Sequence, residues 1–196
     1  MQKPLESIAE IKLGYPFRSR VEPDADGSTA IVQMKDIDDQ DLLHAESLVR
    51  VNLDYAKEQY DLKVGDVIFR SRGQRNTAAM VAAPLGSALL AAPLMLIRIT
   101  SDEIMPGYVQ WYLNQPWTQR RLHIMPSSTT GRMIGISELR KFEIAVPPLE
   151  VQQKIQTISG LCQKEQKLTQ EIAATRQSLW EGILMKHATR GRQDTG

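Results

Sequence analysis

The run Arg70-Ser71-Arg72-Gly73-Gln74-Arg75-Asn76 places three guanidiniums, two side-chain amides and a glycine directly after an apolar, strand-like segment. None of these groups is a nucleophile or a proton carrier at neutral pH, but all of the polar ones hydrogen-bond well. A guanidinium offers paired donors that match O6 and N7 of guanine, and an Asn or Gln amide matches N6 and N7 of adenine. The same arginines also neutralise phosphate. A second stretch, Ser127 to Gly135, is small, polar and basic at once, and Ser128, Thr129, Thr130 and Arg132 add hydroxyl and guanidinium donors. Arg120, Arg121, Arg140 and Lys141 lie close to it in sequence. Solvated arginines are common, so the residue types alone leave a plain solvated face and a nucleic-acid-binding face both open.

Other chemistries lack their parts. A methyltransferase needs a glycine-rich cofactor turn after a strand and a motif like Asn-Pro-Pro-aromatic. Asn114-Gln115-Pro116-Trp117 lacks the first proline and falls at the end of a helical pattern. Zinc needs clustered soft or imidazole ligands, whereas His44, His123 and His187 are scattered and Cys162 is the single cysteine. Asp24-Ala25-Asp26-Gly27 is acidic but reads as a turn. No Gly-x-x-x-x-Gly-Lys phosphate loop occurs. The sequence therefore predicts a binding protein with no cofactor and no metal.

Composition sets the frame for these segments. The 196 residues, 42% hydrophobic and 24% charged, suffice for one proper core. With a formal net charge of +1, any nucleic-acid binding must come from local patches. One cysteine, no apolar leader and no apolar run of about 20 residues predict a reduced, cytoplasmic protein with no membrane span.

The elements that must position the basic segments are legible in outline. Leu5, Ile8 and Ala9 have helical spacing before Gly14-Tyr15-Pro16-Phe17 breaks it, predicting a short amphipathic helix. Ala30-Ile31-Val32, Leu48 to Val51, and Val67-Ile68-Phe69 after the Gly65-Asp66 turn read as strands, as do Ala78 to Ala83 and Leu94 to Ile99. The acidic run Asp36, Asp38, Asp39 and Asp41 reads as a solvated loop, and Leu53 to Tyr60 as a short helix. Pro106 suits a helix start, with Val109, Tyr112 and Leu113 on its buried face and Pro126 ending the helical stretch. Phe142, Ile144 and Val146 alternate with Glu143 and Ala145 as a half-buried strand closed by Pro147-Pro148.

From Glu150 to Lys186 there is no proline, and Val151, Ile155, Ile158, Leu161, Leu168, Ile172, Leu179 and Ile183 form one apolar stripe interrupted around Glu165. A helix of that length reaches roughly 55 Å at 1.5 Å per residue, too far to be covered by its own small domain. The stripe asks for a partner helix, the alternative being a helix folded back on its own domain. The expected organisation is a mixed α/β recognition domain over residues 1–148, a long coiled-coil helix over 149–187, and a disordered tail over 188–196.

The order of these pieces resembles the type I restriction–modification specificity subunits, in a half-length form with a single target-recognition domain. Leu5-Glu6-Ser7-Ile8-Ala9-Glu10-Ile11 with Gly14 and Pro16 resembles the opening of such a domain, and Val32-Gln33-Met34-Lys35-Asp36-Ile37 its next strand. Gly65-Asp66-Val67-Ile68-Phe69 is similar to the family's Gly-Asp-Ile-hydrophobic turn, and Arg70 to Gly73 stands where relatives carry a polar or basic loop. The strongest likeness is Phe142 to Ile155, with Pro147-Pro148-Leu149-x-x-Gln152-x-x-Ile155 leading into the helix. The resemblance implies a non-catalytic subunit that reads double-stranded DNA in the major groove. It also implies homodimerisation through the helix and the guidance of adenine methyltransferase subunits, and of restriction subunits where present, to an interrupted palindrome. S-adenosylmethionine would belong to the methyltransferase. The candidate DNA contacts are Lys35, Arg70, Arg72, Gln74, Arg75, Asn76, Ser128, Thr129, Thr130 and Arg132. The alternative is a coiled-coil adaptor whose recognition domain no longer binds DNA.

Overall fold

A computed structural model describes residues 1–24, 26–53, 60–73, 75–125 and 133–190. The chain divides into two compact units, Met1–Lys154 and Ile155–Gly196.

Among the described residues, the first unit is built on three small sheets. Strands β2 (Ala9–Leu13), β8 (Leu94–Ile99), β5 (Val67–Arg70) and β6 (Ala78–Met80) lie side by side in that order, all neighbours antiparallel. Strands β4 (Val49–Val51), β3 (Thr29–Val32) and β7 (Ala88–Leu90) form the second sheet, with β3 and β7 parallel. A two-stranded ribbon joins β1 (Gln2–Pro4) to β9 (Glu143–Ala145). One core cluster brings Ile68, Ala79 and Leu96 of the four-stranded sheet together with Ala30, Val32, Ala88 and Leu90 of the three-stranded one. Thr29–Val32, Val67–Phe69 and Leu94–Ile97 are buried at every position. Continuous apolar runs are what a strand covered on both faces requires.

Helices α1 (Pro106–Asn114), α2 (Pro116–His123) and α3 (Ile136–Lys141) complete the unit. Val109, Tyr112 and Leu113 are buried on α1, as their spacing predicts, and Tyr108 is buried with them. The helical stretch that begins at Pro106 breaks at Gln115, where the sequence pattern also ends, and resumes as a second helix. Gln115 precedes Pro116 and takes the extended conformation (φ −68°, ψ 141°), because the proline ring disfavours helical geometry in the residue before it.

The amphipathic helix expected at the N-terminus is also corrected. Leu5–Ser7 makes only one 3-10 turn, after which Ala9–Leu13 runs as a strand paired with Ile99 to Met95. Leu5, Ile8 and Ala9 fit helical spacing, but Ala9 and Ile11 alternate with exposed Glu10, and pairing to β8 decides between the two periods. Gly14 follows because a Cβ there would stand 2.6 Å from the Ala91 backbone. Residues 54–59, most of the short helix read at Leu53 to Tyr60, and Pro126, read as a helix stop, lie outside the described residues.

Helix α4 runs Leu149–Arg190, 42 residues. Its first turn belongs to the globular unit, six residues past the boundary expected at 148, because Gln152 is wholly buried there. The helix also continues through 188–190, where a disordered tail was expected. No proline or glycine stands between Gly182 and Gly191 to stop it. Of the apolar stripe, Ile155 is half-buried, and Val151, Ile158, Leu161, Leu168, Ile172, Leu179 and Ile183 are exposed on the chain.

Candidate nucleic-acid interface

The basic run is the connection between β5 and β6. Pairing of Phe69 with Ala78, and of the Arg70 N–H with the Thr77 carbonyl at 2.8 Å, closes the two strands around it. Its residues then separate into two kinds. Arg70 is half-buried and donates to the backbone carbonyls of Ile37 and Asp38. Ser71 is buried and donates to the Pro93 carbonyl. Asn76 is buried and donates to the Arg70 carbonyl at 3.0 Å. Gln119 of α2 clamps the Asn76 backbone from both sides, accepting from its N–H at 3.2 Å and donating to its carbonyl at 2.9 Å. Asn114 does the same for Ala78, at 2.7 and 2.8 Å. Arg72 and Arg75, in contrast, are exposed. Gly73 between them has φ +126°, a region that side-chain-bearing residues rarely enter.

The second segment meets this loop. Arg72 pairs antiparallel with Met133, and the Ile134 N–H donates to the Ser71 carbonyl at 2.9 Å. The structure thus brings the described end of the Ser127–Gly135 stretch against the arginine loop, although the two are far apart in sequence. Gln74, Ser128, Thr129, Thr130 and Arg132 lie outside the described residues. Of the other basic residues, Arg140 donates to the Ile11 carbonyl at 3.1 Å, and Arg121 stacks 4.6 Å from the Phe142 ring centre.

The acidic run is not the solvated loop its composition suggests. Met34–Asp36 forms a 3-10 turn, so the strand read at Val32 to Ile37 ends at Val32, and Lys35 is exposed on that turn. Asp36 is buried and accepts from the Gln33 N–H at 2.7 Å. Burial raises its carboxyl above the ordinary range, outweighing that bond and the charge of Lys35. Asp38 organises the next turn, accepting from the N–H groups of Gln40 and Leu42, both at 2.9 Å, and contacting His44 Nε2 at 2.7 Å. Burial pushes Asp38 up, but the Leu42 N–H, His44 and the Gln40 N–H together hold it below the usual carboxylate value. Asp41 is buried with φ +61°, a left-handed conformation that Asp tolerates better than most residues. Its carboxylate lies 3.7 Å from Arg75 Nη2. Burial raises its pKa against the pull of Thr77, Arg75 and Arg70.

A cleft of about 160 Å³ results, and Asp39, Asp41, Arg70, Arg72 and Arg75 are among the residues that line it. Sequence reasoning found the arginines and missed Asp41 as their partner. The signal present was the density of Asp between 36 and 41, next to a strand that leads into the core.

No protein-family model matches this sequence, and no curated protein does. Solved structures match it at the level of fold. The HsdS subunit from Thermoanaerobacter tengcongensis aligns with TM-score 0.59 and 16% identity over 84% of this chain and 37% of that one. A chain from a structural study of complex assembly and conformational transition in the type I restriction–modification system aligns with TM-score 0.61 and 17% identity, over 84% and 38%. The type I restriction–modification S subunit from M. genitalium aligns with TM-score 0.53 and 14% identity, over 87% and 40%. The chain therefore spans well under half the length of these S subunits. The mixed α/β architecture with a long C-terminal helix expected from the sequence is the fold found, and it matches the fold of these S subunits over the aligned stretch.

Proposed function

We propose that this chain is a DNA sequence-reading element of a type I restriction–modification system, acting without catalysis of its own. The observation that carries this reading is the arginine loop. On a fold shared with S subunits, Arg72 and Arg75 are presented outward while Arg70, Ser71 and Asn76 lock the loop beneath them. Rigid support with exposed guanidiniums is what selective contact with base edges needs. Lys35, Gln74, Ser128, Thr129, Thr130 and Arg132 are proposed as accompanying contacts, to phosphate or base.

The partners are double-stranded DNA and methyltransferase subunits, with S-adenosylmethionine bound by the methyltransferase and adenine as its target. The exposed apolar stripe of α4 supports pairing with a second copy through Ile158, Leu161, Leu168, Ile172, Leu179 and Ile183. A two-fold pair presents identical readers in inverted orientation, so the site would be an interrupted palindrome. No described helix is long and apolar enough to cross a membrane, in keeping with action on DNA in the cytoplasm.

Competition binding tests the reading. The chain with its methyltransferase should retain one duplex over a scrambled competitor at physiological salt by the 10³-fold or more typical of specific readers. Equal binding of every duplex would refute it.

A further inference from the structure

Of the two exposed guanidiniums in the loop, Arg75 is the one that an acid holds among the described residues, and that acid is unusual. Asp41 is almost fully buried, adopts a left-handed backbone conformation, and belongs to a turn hooked onto β5 by the Arg70 donations to Ile37 and Asp38. Strained backbone persists where the surroundings enforce it, and such residues cluster at binding sites. At 3.7 Å the Asp41–Arg75 contact is Coulombic, too long to use up a guanidinium hydrogen bond. Among the described residues this contact therefore leaves the Arg75 donors available, while the carboxylate restricts where the group can point.

The charge around Arg75 bears on its ligand. Three arginines and two aspartates line the cleft, so its charges largely offset, and the Asp41 carboxylate 3.7 Å from Arg75 adds a local repulsion against a phosphate at that guanidinium. The edge of guanine carries two acceptors and no net charge, so it can take the Arg75 fork without that repulsion. Arg70 is excluded from this role because its guanidinium is engaged with the backbone.

We propose that Arg75 reads a guanine in the major groove and that Asp41 is the positioning residue that aims its guanidinium at the base. This rests on the DNA-reading role proposed above and assigns one base position to one side-chain pair. Asp41 touches no DNA. It lowers the freedom Arg75 would lose on binding and disfavours the alternative contact with phosphate.

Selection of bound duplexes from a randomised pool by this chain with its methyltransferase, at two salt concentrations, tests the pair. Arg75→Ala should erase one guanine preference, a loss of about 5- to 150-fold in discrimination at that position, and leave the other positions unchanged. Arg75→Lys should not restore it, because an ammonium lacks the fork. Asp41→Asn keeps the shape and accepts the left-handed backbone, and it should weaken preference at the same position only. That outcome separates positioning from a purely structural role, which would lower affinity for every sequence. If Arg75→Ala weakens all sequences equally and flattens the salt dependence, Arg75 is a phosphate contact and the inference fails while DNA reading stands. If Asp41→Asn leaves the preference intact, the pair is not a unit. A parent chain that selects no sequence overturns both the inference and the function it rests on.

Discussion

Gln152 accepts a hydrogen bond from the Met105 N–H at 2.9 Å while its amide donates to the Glu103 and Pro147 carbonyls at 2.8 and 2.7 Å. The glutamine in Pro-Pro-Leu-x-x-Gln is therefore a staple, joining the first turn of α4 to the loop ahead of α1. Replacing it with Ala leaves the half-buried Met105 N–H and two carbonyls without this partner. The expected cost is about 2–4 kcal/mol, read as a fall in the denaturant midpoint at unchanged slope.

Asp66 and Arg98 form a second staple. The guanidinium grips the carboxylate with two bonds, 2.8 Å from Nε and 2.6 Å from Nη2, and also donates to the Asp61 carbonyl at 2.7 Å. Asp66 accepts from the Lys63 N–H at 2.7 Å as well, closing the turn before β5. Asp66→Ala leaves a partly buried cation and an open turn, with an expected loss of about 3 kcal/mol. Adding Arg98→Met should cost less than the sum of the single changes, and the shortfall in a double-mutant cycle measures the coupling.

How far the sequence reveals this structure depends on the range of the forces involved. Val67–Phe69 and Leu94–Ile97 are legible because a continuous apolar run between turns has few alternatives, and α4 because its stripe is long. β7 is not, since Ala88–Leu90 is three residues that become a strand only beside β3. α3 is hidden behind a glycine and serine start. At the site, the arginines announce themselves by type. That Arg70 and Asn76 are scaffold while Arg75 faces outward is set by carbonyls at Ile37 and Asp38 and by Gln119, all distant in sequence.

The α4 stripe yields a prediction on assembly. Ile172 and Leu179 are exposed on the single chain, at 59% and 61%, so changing both to Asp should leave the globular unit folded. In a helix pair the same change places charges in a packed seam at a cost of several kcal/mol. Sedimentation should show a dimer for the parent and a monomer for the double variant. A dimer in both would move the interface elsewhere.

His44 sits between Asp38 at 2.7 Å and Glu46 at 3.1 Å. The bond to Asp38, then that to Glu46, raises its pKa above the ordinary 6.5. A raised value means that the folded state holds the proton more tightly. The stabilisation is full below about pH 6.5 and fades as pH climbs through the folded-state value. Asp38 has the opposite sign, so its contribution is present above its ordinary value and fades as pH falls through its lowered one. A ring titration by NMR should place the His44 midpoint above 6.5, and His44→Gln should remove the alkaline part of the stability profile. An unshifted midpoint would mean that the turn is open in solution.

Mapping methylated bases in cells that carry this chain and its methyltransferase tests the reading role most directly. The expected pattern is one interrupted palindrome with identical half-sites, methylated throughout the genome and lost when the chain is deleted. In cells carrying Arg75→Ala, methylation should spread to sites relaxed at one base pair of each half-site. A methylation pattern unchanged by deletion of the chain would contradict its role as the sequence reader.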